Sequence, residues 1–195
     1  MEKSMDEIIA HYVSLISSAP VVAGLIYLWT GIVVNELWFG IVGLVLGFLP
    51  PSLHVWFLMR YGVVDDWFVS DRRFRIGPLL ASLSGFIVLF SLSLAYDLRV
   101  FNLLSFAYVC NTVVTIAITM KWKISIHLYG LTGPLTFLVV VYDSYYWLWF
   151  LLVPIVAWAR LRLRAHSLSQ VIVGGVLGVL LTYIEILVYN NLLFP

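Results

Sequence analysis

The sequence predicts an all-α, polytopic membrane bundle of six or seven transmembrane helices. Three observations carry that prediction. Hydrophobic residues make up 63% of the chain and charged residues 11%, where a soluble domain usually carries about 25% charged residues. A water-soluble fold of 195 residues could not hide that much apolar surface. The apolar residues also fall in long continuous runs rather than alternating, which favours helices over the strands of a barrel. Short polar segments separate the runs, with no linker, low-complexity tract or internal repeat, so residues 1–195 read as one integral membrane domain.

Spans are predicted at 15–34, 37–59, 79–95, 100–120, 127–142, 145–159 and 168–193. A hydrocarbon core of about 30 Å takes about 20 helical residues. The fifth and sixth runs are therefore short and are expected to draw in the polar residues beside them. Ser14, Ser17 and Ser18 dilute the start of the first run, so six and seven spans both stand. The opening "MEKSMDEIIA" lacks the basic-then-apolar order of a signal peptide, and the first span is expected to be its own targeting signal into the cell membrane. Cys110, the single cysteine, lies in an apolar run and permits neither a disulfide within the chain nor a cysteine-based metal site. The net charge of +1 gives no sign of a nucleic-acid partner, and none is expected.

The alternation of spans sorts the loops onto two faces. Of 11 Lys and Arg residues, ten fall on one face: Lys3, Arg60, Arg72, Arg73, Arg75, Lys121, Lys123, Arg160, Arg162 and Arg164. Only Arg99 falls on the other. The positive-inside rule makes the first face cytoplasmic. If those cations serve an anion site, function placed them, and the rule does not decide the side.

Three clusters return to that face. They are "DRRFRIGP" (Asp71 to Pro78), "KWKISIHLYG" (Lys121 to Gly130) and "ARLRLRAHSLSQ" (Ala159 to Gln170). Two spans separate each from the next, so segments distant in sequence can converge. Arginine presents a planar, permanently charged fork suited to phosphate oxygens. Two histidines can divide the roles of nucleophile and proton donor. The inventory suits phosphoryl transfer without a metal. No H-E-x-x-H or close carboxylate–histidine cluster is present, the arginine-rich company of Asp65, Asp66 and Asp71 argues against Mg²⁺ there, and no cofactor is expected.

In order and spacing these motifs resemble the type 2 phosphatidic acid phosphatase (PAP2) superfamily of membrane lipid phosphatases. Its pattern is K-x6-R-P, then P-S-G-H, then S-R-x5-H-x3-D. Arg160 and His166 match the third motif, Ser125 and His127 the second, and Arg72 or Arg75 before Pro78 the first. The resemblance spans roughly Gly62 to Gly178, and "HSLSQVIVGGVLG" is its most specific part. It implies a PAP2-like fold and a metal-independent phosphatase. His166 would attack phosphorus and form a phosphohistidine. His127 would protonate the leaving oxygen. Arg72, Arg75, Arg160 and Ser125 would hold phosphate, with Lys123 beside them. The substrate it implies is a lipid phosphate or diphosphate: a polyprenyl (undecaprenyl- or dolichyl-type) diphosphate first, phosphatidic acid or phosphatidylglycerophosphate next.

The chain departs from the pattern at three places. Gln170 replaces the aspartate; one turn after His166, its amide oxygen can accept an imidazole N–H but brings no charge. Ile126 stands where the family has glycine and resists the positive φ that glycine allows. Phe68 occupies the lysine's place before Arg75. These departures keep open a non-catalytic transporter or lipid-binding protein for an anionic headgroup, and a phosphotransferase that passes the phosphoryl group to an alcohol.

Other residues have plainer expected roles. Arg73, Lys121, Arg162 and Arg164 read as topology signals or lipid contacts. His11 and His54 read as packed side chains, and Asp65 and Asp66 as caps or ion-pair partners. Glu185 is an ionisable group inside a span, a flag for function, but it lies about 28 Å along the helix from His166 and is left out of the site. Gly174, Gly175 and Gly178 read as close helix packing, and "VYDSYYWLWF" as an interfacial aromatic belt.

Overall fold

The computed structural model describes residues 4–193. Lys3, counted above among the cations of one face, lies outside them. The described residues form helices and no strand: α1 (Met5–Ile16), α2 (Ala19–Val33), α3 (Leu37–Arg60), α4 (Ile76–Ala95), α5 (Arg99–Lys121), α6 (Ile126–Val141), α7 (Leu152–Arg162) and α8 (Leu168–Val188). A tight helical segment, Ser144–Leu151, runs straight into α7, and a π-turn, Tyr189–Leu193, ends α8.

The first predicted span, 15–34, is corrected. Helix begins at Met5 and breaks at Ser17–Ser18, with a bend of 49° between α1 and α2. Pro20 gives the reason. In an unbroken helix its ring would strike the carbonyl of Ile16, whereas in the first turn of α2 its missing N–H costs nothing. Ser17 Oγ bonds back to Val13 O at 2.7 Å and closes α1. At its other end Ser4 and Glu7 form a reciprocal capping box.

Among the described residues five helical stretches are long and apolar enough to cross a membrane: Leu37–Arg60, Arg72–Ala95, Arg99–Lys121, Ser144–Arg162 and Leu168–Asn191; the bent pair α1–α2, taken as one span, makes a sixth. The sixth predicted run does draw in its flanks, reaching from Ser144 to Arg162. The fifth does not. Ser125 is extended and caps α6, which has 16 residues and is about 24 Å long. Most of α6 is buried against other helices, so protein rather than lipid meets its ends.

Helix α2 packs on α3, α3 on α4, α4 on α5, α5 on α8, α8 on α6, and α6 back on α2. Six helices thus close a ring, and α7 lies outside it against α1. Tyr27, Phe39, Phe86, Phe101, Leu104 and Phe137 fill much of the core. The α6–α8 contact needs glycine at two places. A Cβ on Gly174 would lie 2.7 Å from Ser125 O, and one on Gly178 would lie 2.7 Å from Tyr129 O. Gly175 has ordinary room around it, nothing coming closer than 3.8 Å.

The chain order brings the ends of α3, α5 and α7 and the starts of α4, α6 and α8 to one face. Hydrogen bonds tie these ends together. Arg72 reaches Met120 O at 2.8 Å, Arg75 reaches Ile124 O at 3.4 Å, and Ser125 N reaches Gln170 O at 3.3 Å.

Candidate active site

Helix α8 sets the first half of the site. Ser167 caps it, and Gln170 completes a capping box by turning back to the Ser167 N–H. That turn aims the Gln170 oxygen. A backbone N–H can only donate, so the Gln170 atom 3.2 Å from Ser167 N is Oε1. The same Oε1 lies 3.0 Å from His166 Nδ1. Nδ1 therefore carries the proton, and Nε2 keeps its lone pair. Among the described residues the hydrogen-bonded partner of this imidazole is an amide rather than an acid. Asp66 is spent on the N–H groups of Phe68 and Ser70, and Asp71 on Arg73.

Helix α6 sets the second half. Ser125 is its N-cap, yet the Ser125 side chain caps nothing: Oγ is buried and has no hydrogen-bond partner. The first N–H groups of α6 thus face this region uncapped, a favourable place for an anion. Ile126 is the first residue of α6 in the right-handed helical region, and among the described residues the non-glycine positions at positive φ are Asn35, Val69, Asp97 and Arg164. The glycine of the family's motif is not needed for the turn made here. His127 follows on the first turn, and its Nε2 lies 3.1 Å from Ser14 O of α1. A carbonyl only accepts, so Nε2 is the protonated nitrogen, and Nδ1 is left to serve a ligand.

The cations complete the cluster. Arg160, at the end of α7, is 1% exposed, and its Nε and Nη1 have no hydrogen-bond partner. Arg75 is 5% exposed and spends Nε on Val69 O at 2.7 Å. Arg75, Arg160 and Lys123 all lie within electrostatic reach of His166. Arg75, His127 and His166 line one cavity together with Phe68 and Val69. The Phe68 ring stands between the Arg160 guanidinium, 4.8 Å away, and the His127 ring, 5.6 Å away. Val69 is held at φ 48°, an uncommon conformation for a β-branched residue, and in it presents its carbonyl to Arg75.

Burial, then Arg75, Arg160 and Lys123, pushes the His166 imidazole down to about 4, despite the Gln170 hydrogen bond that favours its proton. It is neutral at neutral pH, as a nucleophile must be. The Lys123 ammonium is also pushed down, first by burial and then by Arg75 and Arg160.

Of the eight residues expected from the sequence, Arg75, His127 and His166 line the cavity, Gln170 bonds to His166, and Arg160 and Lys123 lie within electrostatic reach of His166; the Ser125 Oγ is buried at the start of α6 and does not line the cavity. Arg72 stands apart. Its guanidinium caps the C-terminal carbonyls of α5, Thr119 O and Met120 O, and is turned away from the cavity. The tight turn over Arg72–Phe74 sends Arg72 and Arg75 in different directions. Two contributors went unread in the sequence. One is Phe68, whose position against Arg160 has no sequence signal. The other is α1, which meets His127 through Ser14 O and Phe68 through His11, with ring centroids 5.5 Å apart. The S-x-x-E box at Ser4 and the apolar spacing of Met5, Ile8, Ile9 and Tyr12 were the signals for it.

The plainer residues are equally placed. Arg73 pairs with Asp71 at 2.6 Å, which holds that exposed carboxyl down at about 2. Arg162 pairs with Asp6 and Glu7 of α1. His54 packs over Gly77. Tyr145, Trp147 and Leu148 of the aromatic segment are exposed. No protein-family model matches the chain, and no curated protein or solved structure matches it either.

Proposed function

We propose that the protein is a membrane lipid phosphatase of the PAP2 type, acting in the cell membrane on a lipid phosphate or diphosphate. One observation carries the reading. A tautomer-fixed neutral histidine, His166, sits near buried Arg75 and buried Arg160, and the Nε and Nη1 of Arg160 lack partners. Burying a cation costs several kcal/mol unless something offsets its charge. The acids nearby are tied into their own loop, so an anionic ligand is the natural complement.

The residues take these steps. Arg75, Arg160, Lys123, the Ser125 hydroxyl and the first N–H groups of α6 hold phosphoryl oxygens. The His166 Nε2 lone pair attacks phosphorus and forms a P–N bond. The P–O bond to the lipid alcohol, or to its phosphate in a diphosphate, breaks. The departing oxygen takes a proton from His127 Nδ1; because His127 starts with its proton on Nε2, the Nδ1 proton must arrive on a monoprotonated substrate phosphate. Water then attacks phosphorus, the P–N bond breaks, and neutral His127 takes the water's proton. The cations stabilise charge spreading over the equatorial oxygens, where catalysis of this kind mostly acts. A polyprenyl diphosphate is the favoured substrate.

The test is phosphate release from polyprenyl diphosphate and from phosphatidic acid by purified protein in EDTA. Acid-labile, base-stable label should appear on the protein during turnover of a ³²P-labelled substrate. His166→Ala should abolish both, with a loss of at least about 10³-fold. A wild-type protein inert toward every lipid phosphate tried would defeat the phosphatase reading. Gln170, an acceptor without charge, favours a second reading: a protein that holds an anionic headgroup without cleaving it. Tight binding of the same lipids without release would establish that one. Label passing to an added alcohol would instead mark a phosphotransferase.

A further inference from the structure

The ring of helices is not filled. A narrow cavity of about 70 Å³, walled mostly by apolar atoms, lies inside it. All six ring helices contribute to its wall, and Ala23, Gly47 and Ala107 leave the space open by their small size. Helices in a membrane gain no hydrophobic drive from associating and depend on packing. A void of this size forfeits such contacts, which a bound apolar group would restore.

The cavity meets the His127–His166 cavity along Ala19, Pro20, Leu79, Ser82 and Ile126, which border both. Its far end is walled by buried Phe86, Leu104 and Phe137. The run of α6 from Ile126 to Phe137 gives it a depth of about 16 Å. Of its polar wall residues deeper inside, Asn111, Tyr129 and Thr182 are bonded to one another and to Glu185, Thr115 to Tyr129, and Thr112 to Tyr108 O, while the Tyr108 hydroxyl has no partner. One free hydroxyl in a mostly apolar wall does not make a seat for a charged group. The occupant implied is a hydrocarbon chain.

We propose that this cavity seats the substrate's hydrocarbon tail, and that the substrate has a single isoprenoid or alkyl chain. Its headgroup lies among Arg75, His127 and His166, and its chain runs inward through the neck toward Phe137. A second chain on a glycerol would have to pass the same neck, so two-chain lipids are disfavoured. The headgroup chemistry rests on the phosphatase reading; the seat of the chain does not depend on turnover.

Two experiments separate them. The first uses a non-hydrolysable alkyl phosphonate with a diazirine at mid-chain, photolysed on the purified protein in detergent. Label is expected on peptides carrying Ala107 or Gly130–Phe137. Label confined to outward-facing Leu80, Ile87, Leu180 or Ile184 would overturn the proposal, whether or not the protein hydrolyses anything. The second compares turnover. A single-chain alkyl phosphate should exceed phosphatidic acid in kcat/KM by about tenfold or more. Ala107→Leu and Ala23→Leu should lower long-chain turnover by about tenfold while sparing butyl phosphate, whose turnover reports an intact fold and site. Equal loss on both substrates in both variants, or equal turnover of one- and two-chain lipids by wild type, would overturn it. Interior labelling without any hydrolysis would retain the chain seat and defeat the phosphatase reading alone.

Discussion

The cluster around Asn111 and the cluster around Arg160 both bury polar groups in an apolar bundle, yet one closes on itself and the other does not. Asn111 Nδ2 donates to Thr182 Oγ1 at 3.0 Å and to Glu185 Oε2 at 2.6 Å, and its Oδ1 accepts from the Tyr129 hydroxyl. Those four side chains join α5, α6 and α8, and the Asn111 amide is fully employed. Around Arg160 the opposite holds. Arg160 Nε and Nη1 and Ser125 Oγ are buried without partners, and Arg75, Lys123 and Arg160 crowd one another. A satisfied network holds helices together; an unsatisfied one stays open for a ligand. Glu185, flagged in the sequence because it is ionisable inside a span, belongs to the first kind.

The largest test of that contrast is Arg160→Met. Loss of one phosphate-binding cation should cost about 10²–10³ in kcat. The fold should be no less stable, because a buried unpaired charge has been exchanged for an apolar side chain. Unfolding by SDS titration beside phosphate release reads both. A variant that unfolds more readily and keeps its turnover would make Arg160 structural, like Asn111, and erase the contrast.

Next is Gln170, a positioning residue. Gln170→Leu removes the acceptor that fixes the His166 tautomer and should lower kcat by about 10–100-fold. It also removes half of a capping box, so lost stability alone would be ambiguous. Gln170→Glu resolves this: the carboxylate accepts the same two N–H groups and should restore turnover. Its charge should also move the acid limb of the kcat/KM profile to higher pH, since a nearby anion favours the imidazolium. An unmoved limb with only lowered stability would reduce Gln170 to a helix cap.

How much of this was legible follows from the kind of signal each part gives. Continuous apolar runs set the helices, because lipid leaves a spanning segment few other forms. Their alternation put three clusters on one face, and the resemblance to the PAP2 motifs singled out Ser125, His127, Arg160, His166 and Gln170 within them. Arg72 could not be told from Arg75, since the choice turns on one tight turn and the carbonyls of α5. The break at Ser17–Ser18 was written in Pro20 but obscured by the apolar residues on both sides. Ile126 looked like a defect only so long as a glycine-like turn was assumed there.

Asn111→Leu sharpens the contrast from the other side. It strands the Glu185 carboxyl in the bundle and should cost about 1–3 kcal/mol of stability, measured by SDS titration. Turnover of butyl phosphate per folded molecule should hardly change, because none of the residues assigned to phosphate or to proton transfer touches Asn111; a short substrate is the readout because Asn111 also lines the cavity assigned to the chain. A fall in kcat comparable to that of Arg160→Met, at equal folded fraction, would show the two clusters to be one.

The smallest effect is the most direct report on the open cluster. His166 is held at about 4, below its ordinary 6.5. The unfolded chain therefore binds the extra proton first, and this residue's contribution to stability, whole above about pH 6.5, is lost as pH falls toward about 4. Burial and the cations cause the depression, and an anion seated among them offsets the cations. Ring-nitrogen NMR of the labelled protein should place the His166 titration near 4 without ligand and move it upward by about 1 unit or more with inorganic phosphate. The direction matters more than the size. A closed network of the Asn111 kind would not notice phosphate, so a titration indifferent to it would mean that the cations around His166 do not share an anion with it.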